Sequence, residues 1–181
     1  MIGHVDDVRT LMIPDPSLVV LVGAAGAGKS TFAARHFARD EVLSSDAYRA
    51  HVSGDERDQA ATRPAFAALH RELARRLAAR RLTVVDATNL ERHARRSLLR
   101  RASAAGVPAV AVVLDPTLDV ALTRNRLRNR VVDESVVQRH HAALGKIGAP
   151  GVLEAEGFAV VHRLHGAAAA ENVRLRRVPV A

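Results

Sequence analysis

Five short apolar or β-branched runs punctuate the chain: Leu18–Val22, Val42–Ser44, 82–86, 109–114 and 158–164. Between them, at about 28–39, 62–81, 91–105, 117–129 and 133–146, lie longer amphipathic stretches. Continuous apolar runs suit strands buried on both faces, and the longer stretches suit helices with one apolar side. The alternation predicts an α/β fold, a parallel β-sheet flanked by helices on both faces. Right-handed crossovers bring the C-terminal ends of such strands to one edge, and ligands bind there. Chemistry is therefore expected just after each run. Pro14 and Pro16 set off a short N-terminal arm, 145–151 reads as a linker before the last strand, and 173–180 reads as one more edge strand. A length of 181 residues predicts one domain, 1–181.

Charge adds a partner class. The net charge of +8 and pI near 11.3 point to a polyanion such as nucleic acid. An arginine bias from a GC-rich genome would give the same balance, since Lys29 and Lys146 are the only lysines. No apolar run approaches the ~20 residues of a membrane span, and the N-terminus does not read as a signal peptide. The absence of cysteine excludes disulfides and thiolate metal sites, which agrees with a cytoplasmic location. The nine histidines lack acidic partners at metal-ligand spacing and read as surface or packing residues. The five aromatics, Phe32, Phe37, Tyr48, Phe66 and Phe158, read mostly as core, which argues against a base-stacking platform.

Gly23-Ala24-Ala25-Gly26-Ala27-Gly28-Lys29-Ser30 fits G-x-x-x-x-G-K-[ST], with Thr31 next. It follows an apolar strand and opens a helix, the context in which this pattern binds phosphate. The glycines let successive N–H groups face the phosphates, and the helix N-terminus adds partial positive charge. Lys29 is expected to reach the β- and γ-phosphates, and the Ser30 hydroxyl to ligate Mg²⁺. The alternative is a glycine-rich turn without nucleotide.

Three further groups fall at the same edge. Asp46 follows the strand ending at Ser44, with Arg49 one helical turn later. A carboxylate there can accept the proton of an attacking hydroxyl, and Arg49 can hold an anionic group of the acceptor; a helix-capping role for Asp46 is the plainer option. Asp86, Thr88 and Asn89 end the next strand. They are candidates for the acceptor side, with Asp86 also able to support the Mg²⁺ shell through water; a turn aspartate and a helix cap are the alternative. Arg124, Arg126, Arg128 and Arg130 have few acids at helical spacing, only Asp133 and Glu134, which can serve Arg130 but hardly Arg124. Such a cluster suits a triphosphate, or is a plain solvated charge run.

On four segments the chain resembles the 5′-kinase module of bacterial polynucleotide kinase–phosphatases, end-healing enzymes of RNA and DNA repair. They are 18–32 (LVVLVGAAGAGKSTF), 44–49 (SSDAYR), 55–62 (DERDQAAT) and 82–89 (LTVVDATN). The arginines of 124–130 look like that family's lid, predicted over about 124–146, and 156–158 resembles its closing strand. The resemblance implies an ATP- and Mg²⁺-dependent kinase that acts on the 5′-hydroxyl ends of RNA or DNA. Lys29 and Ser30 would hold ATP and metal, and Asp46 would be the general base. Arg49 would hold the phosphate next to the acceptor hydroxyl, and Arg124, Arg128 and Arg130 would cover the ATP phosphates. Catalysis would rest on Lys29, Asp46 and Arg128. Val131 falls where the family pattern has an arginine, with Arg130 as the substitute. The phosphatase and ligase modules that often accompany this kinase are absent from the sequence, so a separate repair phosphatase or ligase is a possible partner.

Two other functions fit the same residues. One is a P-loop kinase for a small hydroxyl acceptor such as a sugar, nucleoside or antibiotic; the other is a nucleotide-dependent nucleic-acid-binding module without phosphotransfer. The kinase reading requires the Asp46 carboxylate at the phosphate-loop edge, not on the far rim or turned away into a salt bridge.

Overall fold

A computed structural model describes residues 8–53, 62–128, 131–166 and 170–180. Five parallel strands form the main sheet in the order β3-β4-β2-β5-β6. They are β2 (Leu18–Val22), β3 (Val42–Ser44), β4 (Thr83–Asp86), β5 (Ala109–Asp115) and β6 (Val160–His165). Every residue of β2 and β4 is buried, as continuous apolar runs in a doubly covered sheet require. Side chains alternate between two cores. Leu18, Val20 and Val22 enter one with Ala109, Ala111 and Val113, whereas Val19 and Leu21 enter the other with Val110 and Val112.

The first core is closed by α3 (Thr62–Ala78), α4 (Arg92–Ala104), α6 (Glu134–Ile147) and α7 (Val152–Glu156), through residues such as Leu69, Leu98, Leu144 and Leu153. The second is closed by α1 (Lys29–His36) together with β1 (Arg9–Asp15) and β7 (Val173–Pro179). Here the expectation of an N-terminal arm and an extra edge strand is corrected. β1 and β7 pair in parallel with each other, Arg9 opposite Val173, in a separate two-stranded sheet. Leu11 and Ile13 point inward from β1 and are fully buried. Their period-2 signal spans only two positions before Pro14, too short to read as a strand without its partner.

Two short helices complete the chain's described elements near the site: α2 (Ser45–Ser53) and α5 (Leu118–Arg126). The 145–151 segment is the end of α6 and a turn into α7, not an extended linker. Among the described residues, no helix is long and apolar enough to cross a membrane.

Candidate active site

A cavity of about 1200 Å³ opens at the C-terminal edge of the sheet. Strand register explains what meets there. Leu21 of β2 and Ser44 of β3 both lie opposite Asp86 of β4, so the turns after these three strands start at one level.

After β2, the phosphate loop turns onto α1. Gly28 caps that helix with φ 91°, no side chain caps it, and its first turn carries no acid. The N-terminal N–H groups are thus directed at the cavity with their partial positive charge. Gly26 has φ 78°, and a Cβ there would meet the Ala121 carbonyl oxygen of α5 at 2.1 Å, so only glycine allows this approach. Ala25 packs with Ala121 and Val137 in a small third cluster that docks α5 and α6 on the loop. Ala25, Gly26, Gly28, Lys29, Ser30 and Thr31 line the cavity. Gly23, Ala24 and Ala27 form the back of the loop. Gly23 N–H donates to the Thr88 carbonyl at 3.1 Å, and the Ala27 side chain enters the second core.

The Lys29 ammonium is buried and donates to the carbonyls of Gly23 (3.0 Å) and Ala24 (2.8 Å). Burial lowers its pKa to about 8; Asp86 opposes this and Arg128 adds to it. The Ser30 hydroxyl donates to Asp86 Oδ2 at 2.7 Å. These two oxygens form a hard donor pair after β2 and β4. No group of three or more His, Asp or Glu among the described residues could hold a metal. A Mg²⁺ ion that keeps waters and takes substrate phosphates needs only one or two protein ligands, so Ser30 and Asp86 fit it. Neither Thr88 nor Asn89 caps α4, whose N-cap is Glu91, so the helix-cap part of the plainer reading does not hold.

Asp46 lies in the first turn of α2 and on the wall of the same cavity as Lys29 and Ser30. The N–H of Ala47 in that turn donates to Ser44 Oγ at 3.4 Å. The carboxylate is in a salt bridge, with Arg49 and, at 3.3 Å, with Arg128. Both arginines line the cavity, so the pairing holds Asp46 within the site and does not turn it away. Arg128 thereby joins the α5–α6 connection to α2.

The arginine cluster is more fully paired than its sequence suggested. Glu171, 47 positions away, accepts from Arg124 at 3.2 Å, and Glu134 from Arg126 at 2.8 Å. Helix α5 ends at Arg126, so Arg124 and Arg128 do not share a continuous helical face. Even so, Arg124 and Arg128 both reach the cavity, and a side chain on Gly28 would lie 3.3 Å from Arg124 Nη1. Val131 also lines it. Arg130, and nearly all of the 55–62 segment, lie outside the described residues.

Asn89 stands apart from the lining of the main cavity. Its buried amide donates to the carbonyls of Leu21 (2.7 Å) and Ala87 (3.3 Å), and its φ is 50°. It braces the ends of β2 and β4 and lines a smaller neighbouring cavity between α3 and α4. Thr88 does line the main cavity.

Three residues escaped the sequence reading. Asn125, fully buried, donates to the Val132 carbonyl at 2.7 Å and accepts the Val132 N–H at 3.1 Å, which fastens the connection that carries Arg128. His140, read as surface or packing, lines the cavity, with Nδ1 buried and without a hydrogen-bond partner. Burial, then Lys29 and Arg139, hold its pKa below the usual histidine value against the pull of Glu91. The i, i+4 spacing from Val136 on α6 was the available signal. Arg95 is fully buried, pairs bidentately with Glu156 (2.7 and 2.6 Å), and donates to the carbonyls of Asn89 and Leu90. It ties the turn after β4 to α7, which ends at Glu156 because Gly157 caps it with φ 114°, so Glu156 is not part of a strand.

A parallel sheet with a G-x-x-x-x-G-K-S turn onto a helix, a serine–aspartate pair beside it and arginines from a neighbouring helical arm defines a P-loop kinase-type domain. Residues 18–147 match the AAA domain profile, and the chain belongs to that family. No curated protein matches the chain. Among solved structures it is similar to a chain of the Pnkp1/Rnl/Hen1 RNA repair complex, with TM-score 0.64 and 23% identity, over 75% of this chain and 46% of that one. It spans under half the length of that chain. It is also similar to a gluconokinase from Sinorhizobium meliloti 1021 (TM-score 0.53, 21% identity, 88% of this chain and 89% of that one). A third likeness is to shikimate kinase from Acinetobacter baumannii in complex with shikimate (TM-score 0.51, 20% identity, 86% and 88%). These likenesses establish the P-loop kinase fold.

Proposed function

We propose that this protein is an ATP-dependent polynucleotide 5′-hydroxyl kinase. The observation that carries the reading is Asp46: a carboxylate on the wall of the phosphate-loop cavity, flanked by two arginines that line the same space. In this reading the acceptor hydroxyl oxygen attacks the γ-phosphorus, the bond from that phosphorus to the β,γ-bridging oxygen breaks, and ADP leaves. The hydroxyl proton passes to Asp46. That step requires Asp46 to release at least one guanidinium, and both arginines then have phosphates to turn to. Arg49 takes the phosphate next to the acceptor hydroxyl. Arg128 and Lys29 offset charge on the transferred group, and Arg124 covers the donor phosphates. Ser30 and Asp86 would hold Mg²⁺, whose chemistry is to neutralise charge on the β- and γ-oxygens.

The net charge and the likeness to a chain of an RNA repair complex support nucleic acid as the acceptor. The test is transfer of labelled γ-phosphate from ATP onto 5′-OH RNA and DNA oligonucleotides, beside a panel of sugars, shikimate-like acids and nucleosides. A labelled oligonucleotide is the expected product. Label on a small hydroxyl alone would replace this reading with that of a small-molecule kinase.

A further inference from the structure

Beside the main cavity lies a second, smaller one of about 350 Å³, between α3 and α4. Its floor is Leu69, Val85 and Leu98, and its walls are Phe66 and His70 from α3 with His93 and Ser97 from α4. Phe66 lines both cavities, so the two lie side by side. Of the five aromatic side chains, Phe32, Phe37 and Phe158 belong to the cores and Tyr48 packs against one. Phe66 belongs to neither core and is half-buried at the junction.

The rims are cationic. Arg63 precedes Phe66 and His70 at i, i+3 and i+7, which places it on the groove side of α3. On α4, Arg100 follows His93 and Ser97 at i+7 and i+3. Both arginines are exposed, and no acid among the described residues pairs with either. Arg101 donates to Ser97 Oγ at 2.8 Å and lowers the pKa of His70 across the groove, after burial as the larger cause. Burial and Arg101 thus disfavour a charge on His70 in the wall, while the margin is positive.

An apolar slot with one aromatic face and cationic margins matches a nucleotide chain, whose bases want stacking and whose phosphates want arginine. A neutral sugar needs neither. We infer that the groove between α3 and α4 holds the acceptor strand beyond its first nucleotide, with a base against Phe66 and phosphates along Arg63 and Arg100. This deepens the polynucleotide kinase reading and rests on it.

The test compares Arg63→Ala/Arg100→Ala, Phe66→Leu and the unchanged protein. Each is assayed for transfer to a nucleoside 3′-phosphate and to a short 5′-OH single strand, and for binding of that strand by fluorescence anisotropy across a salt series. The arginine pair is expected to weaken strand binding and to lower the salt slope by about 0.7 for each phosphate no longer neutralised. Transfer to the single nucleotide should stay unchanged. Phe66→Leu keeps apolar bulk but loses the ring, and should weaken strand binding by roughly 5- to 150-fold, the worth of one base–aromatic stack. If the unchanged protein phosphorylates the strand and the variants bind it equally well, the groove inference falls and the kinase reading stands. If no strand is phosphorylated yet the variants still lose strand binding, the groove stands as a nucleic-acid site and the kinase reading falls. An unchanged protein that binds no strand overturns the groove.

Discussion

In the proposed reaction, Asp46 and Lys29 are the two side chains whose chemistry most directly meets the reacting phosphate. Asp46→Asn keeps the shape but cannot take a proton. Transfer should fall by about 10²–10⁴-fold, the usual worth of a positioned general base. ATP binding, followed by calorimetry, should not weaken, because Arg49 and Arg128 lose a competing anion. Unchanged turnover in this variant would exclude Asp46 as the base. Lys29 makes a different prediction. Its folded-state pKa is lowered to about 8 from 10.5, so its charge is lost as pH rises through about 8, earlier than for an ordinary lysine. The pH profile of kcat/KM for ATP reports groups of the uncomplexed enzyme, and should decline above about pH 8. Lys29→Arg, always charged, should lack that decline even at reduced activity. Both residues were legible in the sequence because motif and strand position name them, as were Arg49 and Arg128; the salt bridge between Asp46 and Arg128 was not, since its two partners lie 82 residues apart.

At the scale of elements, the turns matter more than the strands and helices they join. Asn125 makes two hydrogen bonds to the backbone of Val132 in a fully buried position. Asn125→Ala should cost roughly 1–3 kcal/mol by leaving those backbone groups unsatisfied. The readouts are faster proteolytic cleavage between α5 and α6 and a raised KM for ATP, as Arg128 loses its anchor. The turn after β4 depends on Arg95. Arg95→Met would leave Glu156, whose side chain is 10% exposed, with only the long 3.9 Å contact to the exposed Arg92. A loss of about 3–5 kcal/mol in urea unfolding is expected, and Arg95→Met/Glu156→Leu should recover much of it. These network residues carry no pattern of their own. A buried arginine looks like any other in a helix reading RHARRSLLRR, and only its surroundings distinguish it.

For the molecule as a whole, the central sheet is shared by two cores, so damage to one should be felt by the other. Ile13 of β1 is fully buried beneath the second core. Ile13→Ala should lower stability by about 2–5 kcal/mol. Loss of circular dichroism and loss of ATP binding should coincide in one urea transition, even though β1 lies outside the five-stranded sheet. Separate transitions would show that the β1–β7 pair is an independent unit.

The hydrophobic pattern alone determined the parallel sheet, its five strands and the edge at which the cavity opens, because burial on both faces leaves few alternatives to that rhythm. The glycine–lysine–serine motif determined the phosphate loop, since its chemistry lies within nine consecutive residues. Tertiary structure decided what adjacency in sequence does not encode. It turned Asn89 inward to brace strand ends, brought His140 into the cavity and matched Glu171 to Arg124. It also paired β1 with β7 from opposite ends of the chain and left Phe66, alone among five aromatics, outside the cores. In each case the deciding interaction spans many residues, and its energy exists only once the sheet has brought the two partners together.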